Sequence, residues 1–295
     1  MRILVFALFG ICFGFGLFAQ GPLFNNFYTA ATYTNPSFAT AIEAPTASFS
    51  YINNNNFWKS SLWQVVQPVK QGGIYGSYSR FGAVVSSSSI FFHDLNLGYA
   101  HKIDIGDLII SGGLGMAMSM TQFKRVAPGI ADTTQWSSFI NSNLGFNLKY
   151  KGVQFGFSSR RIHLLHVSPY VIKRKLSLTQ NFNISFIHRI RLSDAFSLNY
   201  ASIFTRSGGF NRIDNYLRLR VKRLEIGGGF QNNLPANDLA ESNVFPSYYL
   251  AYSFKRYRVN YNCINMKAIG RWRVHEIGLQ FAFNTKGKEV NFLPF

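Results

Sequence analysis

Ile140–Ser158 reads INSNLGFNLKYKGVQFGFS, and the period of this stretch decides the fold. Leu144, Phe146, Leu148 and Tyr150 fall on one face, with Asn143, Gly145, Asn147 and Lys149 on the other. Lys151-Gly152 suits a tight hairpin turn, after which Val153, Phe155 and Phe157 oppose Gln154, Gly156 and Ser158. Alternation at every second position is the mark of a strand with one apolar face, and helical spacing explains none of it.

The same period extends outward in both directions. Leu95, Leu97 and Tyr99 oppose Asn96, Gly98 and Ala100, while Ile277, Leu279, Phe281 and Phe283 oppose Glu276, Gly278, Gln280 and Ala282. In 108–120 large residues (Leu108, Ile110, Leu114, Met116, Met118, Met120) face small ones (Ser111, Gly113, Gly115, Ala117, Ser119). Strands near 47–53, 73–80, 83–91, 95–103, 108–120, 139–150, 153–162, 179–191, 195–205, 213–222, 224–231, 246–255, 259–267 and 272–284 make about fourteen. Short connections fall around Phe81-Gly82, Ile105-Gly106, Lys151-Gly152, Ser193-Asp194, Arg223 and Arg256-Tyr257; long ones fall at 54–72, 121–138, 163–178 and 232–245. Short turns on one side, long loops on the other and an even strand number describe an all-β, antiparallel transmembrane barrel with both termini periplasmic. A soluble sandwich also alternates, but its strands are shorter and its surface needs more charge.

Composition agrees. The 295 residues are 47% hydrophobic, 17% aromatic and only 14% charged, yet the net charge is +18 with 30 Lys+Arg against 12 Asp+Glu. A soluble domain carries roughly 25% charge, and the apolar content excludes a disordered chain. A mean hydropathy of +0.03 is too low for a bundle of apolar helices. Residues 1–19 read as a signal peptide: Arg2, an apolar and Gly core from Ile3 to Phe18, and Leu17-Phe18-Ala19 before Gln20. Its removal leaves Cys263 as the single cysteine, without an intramolecular disulfide partner. The expected location is therefore integral, in a Gram-negative outer membrane, with 20–295 as the barrel. Within it 20–45 is an irregular segment. The alternatives there are a flexible tail or a plug in the barrel mouth; the preferred reading takes Asn35-Pro36 as a turn leading into the first strand.

Two ends of the chain carry a family resemblance. Gln20-Gly21-Pro22-Leu23-Phe24-Asn25-Asn26-Phe27-Tyr28 leads to Asn35-Pro36-Ser37-Phe38-Ala39 and a strand beginning Ser48-Phe49-Ser50-Tyr51; His275-Glu276-Ile277 opens the last strand. This resembles the PorP/SprF family of the type IX secretion and gliding machinery, with Thr40 standing where that family usually has Gly. The middle matches only as generic barrel. The resemblance implies a non-enzymatic outer-membrane component that works with periplasmic ring and motor proteins. It also implies support for surface display of a secreted adhesin or enzyme, gripped by its C-terminal sorting domain. Asn35, Pro36, Phe38, Ala39, His275 and Glu276 are its signature residues, with no role assigned. The alternative function is a channel or transport barrel for a small anionic or hydrophobic solute.

No chemistry of an enzyme is found. There is no Gly-x-Ser-x-Gly elbow, no second His follows His275-Glu276 at zincin spacing, and those two side chains point to opposite faces of a strand. His163 and His166 read as loop histidines without carboxylate or Cys partners nearby. No cofactor and no metal are expected, and nucleic acid is excluded as a partner by export and by the lack of a recognition motif. The basic excess has three readings: rim contact with membrane lipid and lipopolysaccharide, a cationic lumen, or docking of an acidic partner. Arg218, Arg220, Lys222 and Arg223 are the candidates for a basic lumen or rim, with Glu276 among the first three as a buried ion-pair partner. Tyr150, Tyr170, Tyr200, Tyr257 and Trp272 are candidates for an interfacial aromatic belt.

Overall fold

The computed structural model describes residues 30–54, 58–85, 88–125, 133–166, 180–193, 195–207, 210–234, 243–266 and 272–283. A short helix α1 (Ala31–Thr34) and a 3₁₀ helix (Pro36–Ala41) precede fourteen strands. These are β1 (Thr46–Asn54), β2 (Trp58–Val69), β3 (Gly72–Val85), β4 (Ser88–Ile105), β5 (Leu108–Arg125), β6 (Thr133–Tyr150) and β7 (Val153–His166). They continue as β8 (Asn181–Arg191), β9 (Phe196–Ser207), β10 (Phe210–Val221), β11 (Leu224–Leu234), β12 (Asn243–Phe254), β13 (Tyr257–Met266) and β14 (Trp272–Ala282). Each strand pairs antiparallel with its chain neighbour, and β1 closes on β14 from Thr46↔Ala282 to Asn54↔Val274.

The alternation resolves into a wall with two solvents. Leu97, Leu114, Met116, Trp63, Val65, Leu144 and Leu279 are exposed on the outside, as a surface in hydrocarbon requires. Ser77, Asn96, Ser111, Asn143, Asn147, Ser158 and Asn260 are buried on the inside. Strands β4, β5 and β6 have 18 residues each. At ~3.3 Å per residue and a tilt near 40° they reach roughly 45 Å, well beyond the ~25 Å apolar band.

The strand count agrees with expectation, but its N-terminal part does not. Residues 54–72 are not a loop: they hold β2, whose inner Leu62 and Val66 are buried beside outer Trp63 and Val65. Apolar residues on both faces erase the period of two. Phe81-Gly82 is not a turn but lies within β3, with the inner Phe81 ring 5.7 Å from that of Phe92 on β4. The true connections are Lys70-Gln71 at one end and 86–87 at the other. The expected long connections are also shorter: β5 runs to Arg125 and β6 starts at Thr133, β11 runs to Leu234 and β12 starts at Asn243, and β7 carries His163 and His166. The signal peptide, Tyr170 and residues 20–29 of the N-terminal segment fall outside the described residues.

Three two-residue turns open on a left-handed lysine, Lys151, Lys222 and Lys255. Among the described residues one other non-glycine in that region is Arg161, φ 58°, where the β6–β7 register shifts. This bulge breaks the in-out alternation, so consecutive Arg160 and Arg161 both turn inward and are buried.

Candidate functional site: the occupied lumen

Residues 30–41 lie inside the barrel. They run along one hydrogen-bonded row of the wall, Gly73–Ala100–Gly113–Gly145–Ser158, whose members pair in turn across β3 to β7. Small side chains along this row make the seat. A Cβ on Gly113 would stand 2.6 Å from the Pro36 carbonyl carbon, and one on Gly145 would stand 2.1 Å from Asn35 Oδ1.

Asn35 is the latch. Its Oδ1 accepts from Ser37 N (3.0 Å) and Ser37 Oγ (2.8 Å), capping the 3₁₀ helix that Pro36 begins. Its Nδ2 donates to the wall carbonyls of Phe146 on β6 and Phe157 on β7, each at 3.2 Å. Ser158 Oγ donates to Thr34 O at 2.8 Å, and Thr32 Oγ1 donates to Gln64 Oε1 on β2. Apolar contacts complete the docking. Phe38 packs with Ile187, Ala201, Ile203 and Tyr216 of β8 to β10, and Ala39 with Val66, Tyr75 and Ala100. Ala30 and Tyr33 pack with Ile52, Leu62, Phe245, Ile264 and Val274, all near the strand ends that meet the longer connections. Asn35-Pro36 does turn the chain, but the turn is held within the barrel rather than merely leading into β1.

Charge inside the lumen is paired. Asp94 Oδ2 lies 3.1 Å from Arg161 Nη2 and 3.7 Å from Arg160 Nη2, and Ser119 Oγ donates to its Oδ1. The Arg161 backbone N donates to Asn143 Oδ1 at 2.9 Å, which fixes the bulge. The Arg160 guanidinium also stacks 3.6 Å from the centre of the Tyr33 ring, so the acid, the wall arginine and the plug form one chain of contact. A second group joins Glu225 and Arg258 (2.6 Å), Tyr249 Oη (2.8 Å from Arg258 Nη2) and Arg218, stacked 3.6 Å from the Tyr249 ring centre. Arg212 pairs with Asp214 at 2.8 Å. Among the described buried residues five arginines stand against four carboxylates, so most of the buried charge of the lumen is compensated.

The four basic candidates separate. Arg218 is buried in the lumen and Arg220 faces inward near the strand end, with its Nε donating to Lys222 O at 3.0 Å. Lys222 and Arg223 form the exposed β10–β11 turn, so Lys222 does not join Glu276 in the lumen. Glu276 is fully buried inside and His275 is on the outer wall, hydrogen-bonded through Nδ1 to Tyr261 Oη at 2.7 Å. Tyr150, Tyr200 and Tyr257 are exposed on the outer wall; of Trp272 the structure describes the backbone alone. Among the described residues no three His, Cys, Asp or Glu side chains converge as metal ligands. Arg160, Arg161 and Asp94 were missed as a site because the first two look like a basic pair at a strand end; only the bulge makes them inward neighbours.

A closed antiparallel barrel with an apolar exterior, a polar interior and a resident plug defines the class: an integral β-barrel of the Gram-negative outer-membrane type. The comparisons agree on the fold. The structure is similar to the CymD monoaromatic hydrocarbon channel (TM-score 0.62, 10% identity, covering 90% of this chain and 95% of that one). It is also similar to a Pseudomonas aeruginosa FadL homologue (TM-score 0.55, 10% identity, 90% and 96% covered) and to the Pseudomonas putida toluene transporter TodX (TM-score 0.50, 8% identity, 85% and 92% covered). No protein-family model matches the chain, and no curated protein sequence matches it.

Proposed function

We propose that the protein is a plugged transport barrel that admits a small hydrophobic solute at its long-connection end. The observation that carries this reading is the split lining of the lumen. Ile52, Leu62, Phe245, Ile264 and Val274, on the contiguous strands β12 to β2, make an apolar arc against Ala30 and Tyr33, whereas Asp94, Asn143, Arg160 and Arg161 line the wall of β4 to β7. An apolar solute partitions onto such an arc, and passage along it requires the plug to shift. The shared fold with CymD and TodX, whose names specify a monoaromatic hydrocarbon and toluene, supports this class of solute. The test is equilibrium dialysis of labelled toluene against the purified barrel, with planar-bilayer conductance before and after the plug is unlatched by Asn35→Asp. Saturable binding lost in Phe245→Arg and a conductance that rises on unlatching are expected. Absence of both refutes the reading.

A second reading is favoured by a specific coincidence. Asn35, Pro36, Phe38 and Ala39, the signature of the PorP/SprF resemblance, are the residues that seat the plug. In this reading the barrel is a fixed, non-enzymatic support of type IX secretion, its basic short turns facing periplasmic ring and motor proteins and its long connections facing a secreted client. Affinity purification from native membranes separates the two. A tight complex with a secreted protein's C-terminal sorting domain supports attachment and counts against simple transport.

A further inference from the structure

The outer wall carries a second patterned region. Across β14, β1, β2, β3, β4, β5 and β6, one outward row near the longer connections reads His275, Asn53, Lys59, Gly82, Phe91, Gln122 and Trp136. The next row toward the barrel middle places Ser61, Arg80 and His93 opposite one another. Arg273 stands one outward position beyond His275, and Lys59, Arg80 and Arg273 are exposed. The acidic side chains of the described residues lie elsewhere. Asp94, Asp214, Glu225 and Glu276 are buried inside, and Glu43, Asp104 and Asp107 are at the short-turn end.

Two tyrosine–histidine pairs flank these cations. Tyr78 Oη meets His93 Nδ1 at 2.8 Å, and Tyr261 Oη meets His275 Nδ1 at 2.7 Å. Engaging Nδ1 fixes each ring and turns Nε2 away from the tyrosine. A third pair, Tyr99 and His101 at 3.1 Å, lies toward the short turns without outward cations in its row, so the cations and not the pairs distinguish the patch. Arg80 lies 5.2 Å from the Phe91 ring centre, and Trp136 is exposed. Below the patch the wall turns to Ile277, Trp63, Leu95 and Met118, which face acyl chains.

We infer that this patch binds the phosphorylated disaccharide headgroup of an outer-leaflet glycolipid. Guanidinium and ammonium groups supply charge-assisted donors to phosphate oxygens, the aromatic rings offer faces for sugar, and the apolar wall below takes the acyl chains. From β14 to β4 is four inter-strand spacings, roughly 19 Å, which fits a disaccharide with a phosphate at each end better than one phosphodiester. The inference rests on the reading that the long connections face the cell exterior.

The experiment measures retention of bis-phosphorylated lipid A by the full-length barrel in detergent. Parallel arms use phosphatidylglycerol, dephosphorylated lipid A and inorganic pyrophosphate. Lys59→Ala with Arg80→Ala is expected to weaken lipid A binding at least tenfold, while Arg256→Ala at the short-turn end leaves it unchanged and the unheated gel mobility shows the barrel intact. Equal binding of the dephosphorylated lipid, or of free pyrophosphate without lipid, overturns the inference, as does indifference to the double substitution. Surface labelling of a cysteine introduced at 126–132 in intact cells tests orientation separately. A label confined to the periplasm, with phosphatidylglycerol preferred, overturns both.

Discussion

Replacing Asn35 by Asp tests the latch with almost no change of shape. The acceptor Oδ1 toward Ser37 is kept, but the amide that donates to Phe146 O and Phe157 O becomes an oxygen facing two carbonyl oxygens. Two hydrogen bonds at ~1 kcal/mol each are lost, and the buried polar group left without a donor adds ~1–3 kcal/mol. The sum, about 3 kcal/mol or more, falls on the docked plug alone, because no strand ladder uses this side chain. At 1.4 kcal/mol per factor of ten, the undocked population rises by roughly 100-fold. Ala31, buried against the inner wall, is the reporter. Ala31→Cys in a Cys263→Ala background is labelled by a maleimide at a rate proportional to undocking, and Asn35→Asp should raise that rate about 100-fold while the barrel's heat-modifiable gel shift stays in place. A rise of less than threefold, or loss of the folded band together with fast labelling, refutes the separation of latch from wall.

The seat can be tested from the other side. Gly145→Val and Gly113→Val push a side chain into Asn35 and Pro36 and should speed Ala31→Cys labelling at least tenfold, whereas Gly112→Ala, which meets nothing within 4 Å, should not; equal rates in all three would dismiss the row as the seat. Asp94→Asn leaves Arg160 and Arg161 buried without their carboxylate and should cost about 3–5 kcal/mol, read as a lower midpoint of the heat-induced gel shift. Phe38→Ala empties a fully buried site and should cost ~3–5 kcal/mol of plug docking, again read by labelling. An unchanged midpoint or labelling rate in either case would sink the corresponding assignment.

How much of this was legible depends on where each signal is written. A strand with lipid outside and polar groups inside announces itself within its own sequence, as Leu144 to Tyr150 does. Strand β2 does not, because Leu62 and Val66 face the plug and turn the inner surface apolar. The large-against-small pattern of 108–120 was visible, but its meaning is not a property of β5. Gly113 matters through Ala100 and Gly145 beside it, and that row exists only once the register is set. Arg160-Arg161 required knowledge of a bulge that no local residue advertises.

Closure of β1 on β14 joins the most distant strands of the chain, whereas the plug seat is built from consecutive hairpins β3 to β7. Contacts between sequence neighbours form before distant ones, so the seat can exist while the cylinder is still an open trough. The plug precedes β1 and can settle into that trough, leaving β8 to β14 to wrap around Phe38 and Tyr33. In that order of assembly the segment that ends inside the lumen would serve as a mandrel for the second half of the wall.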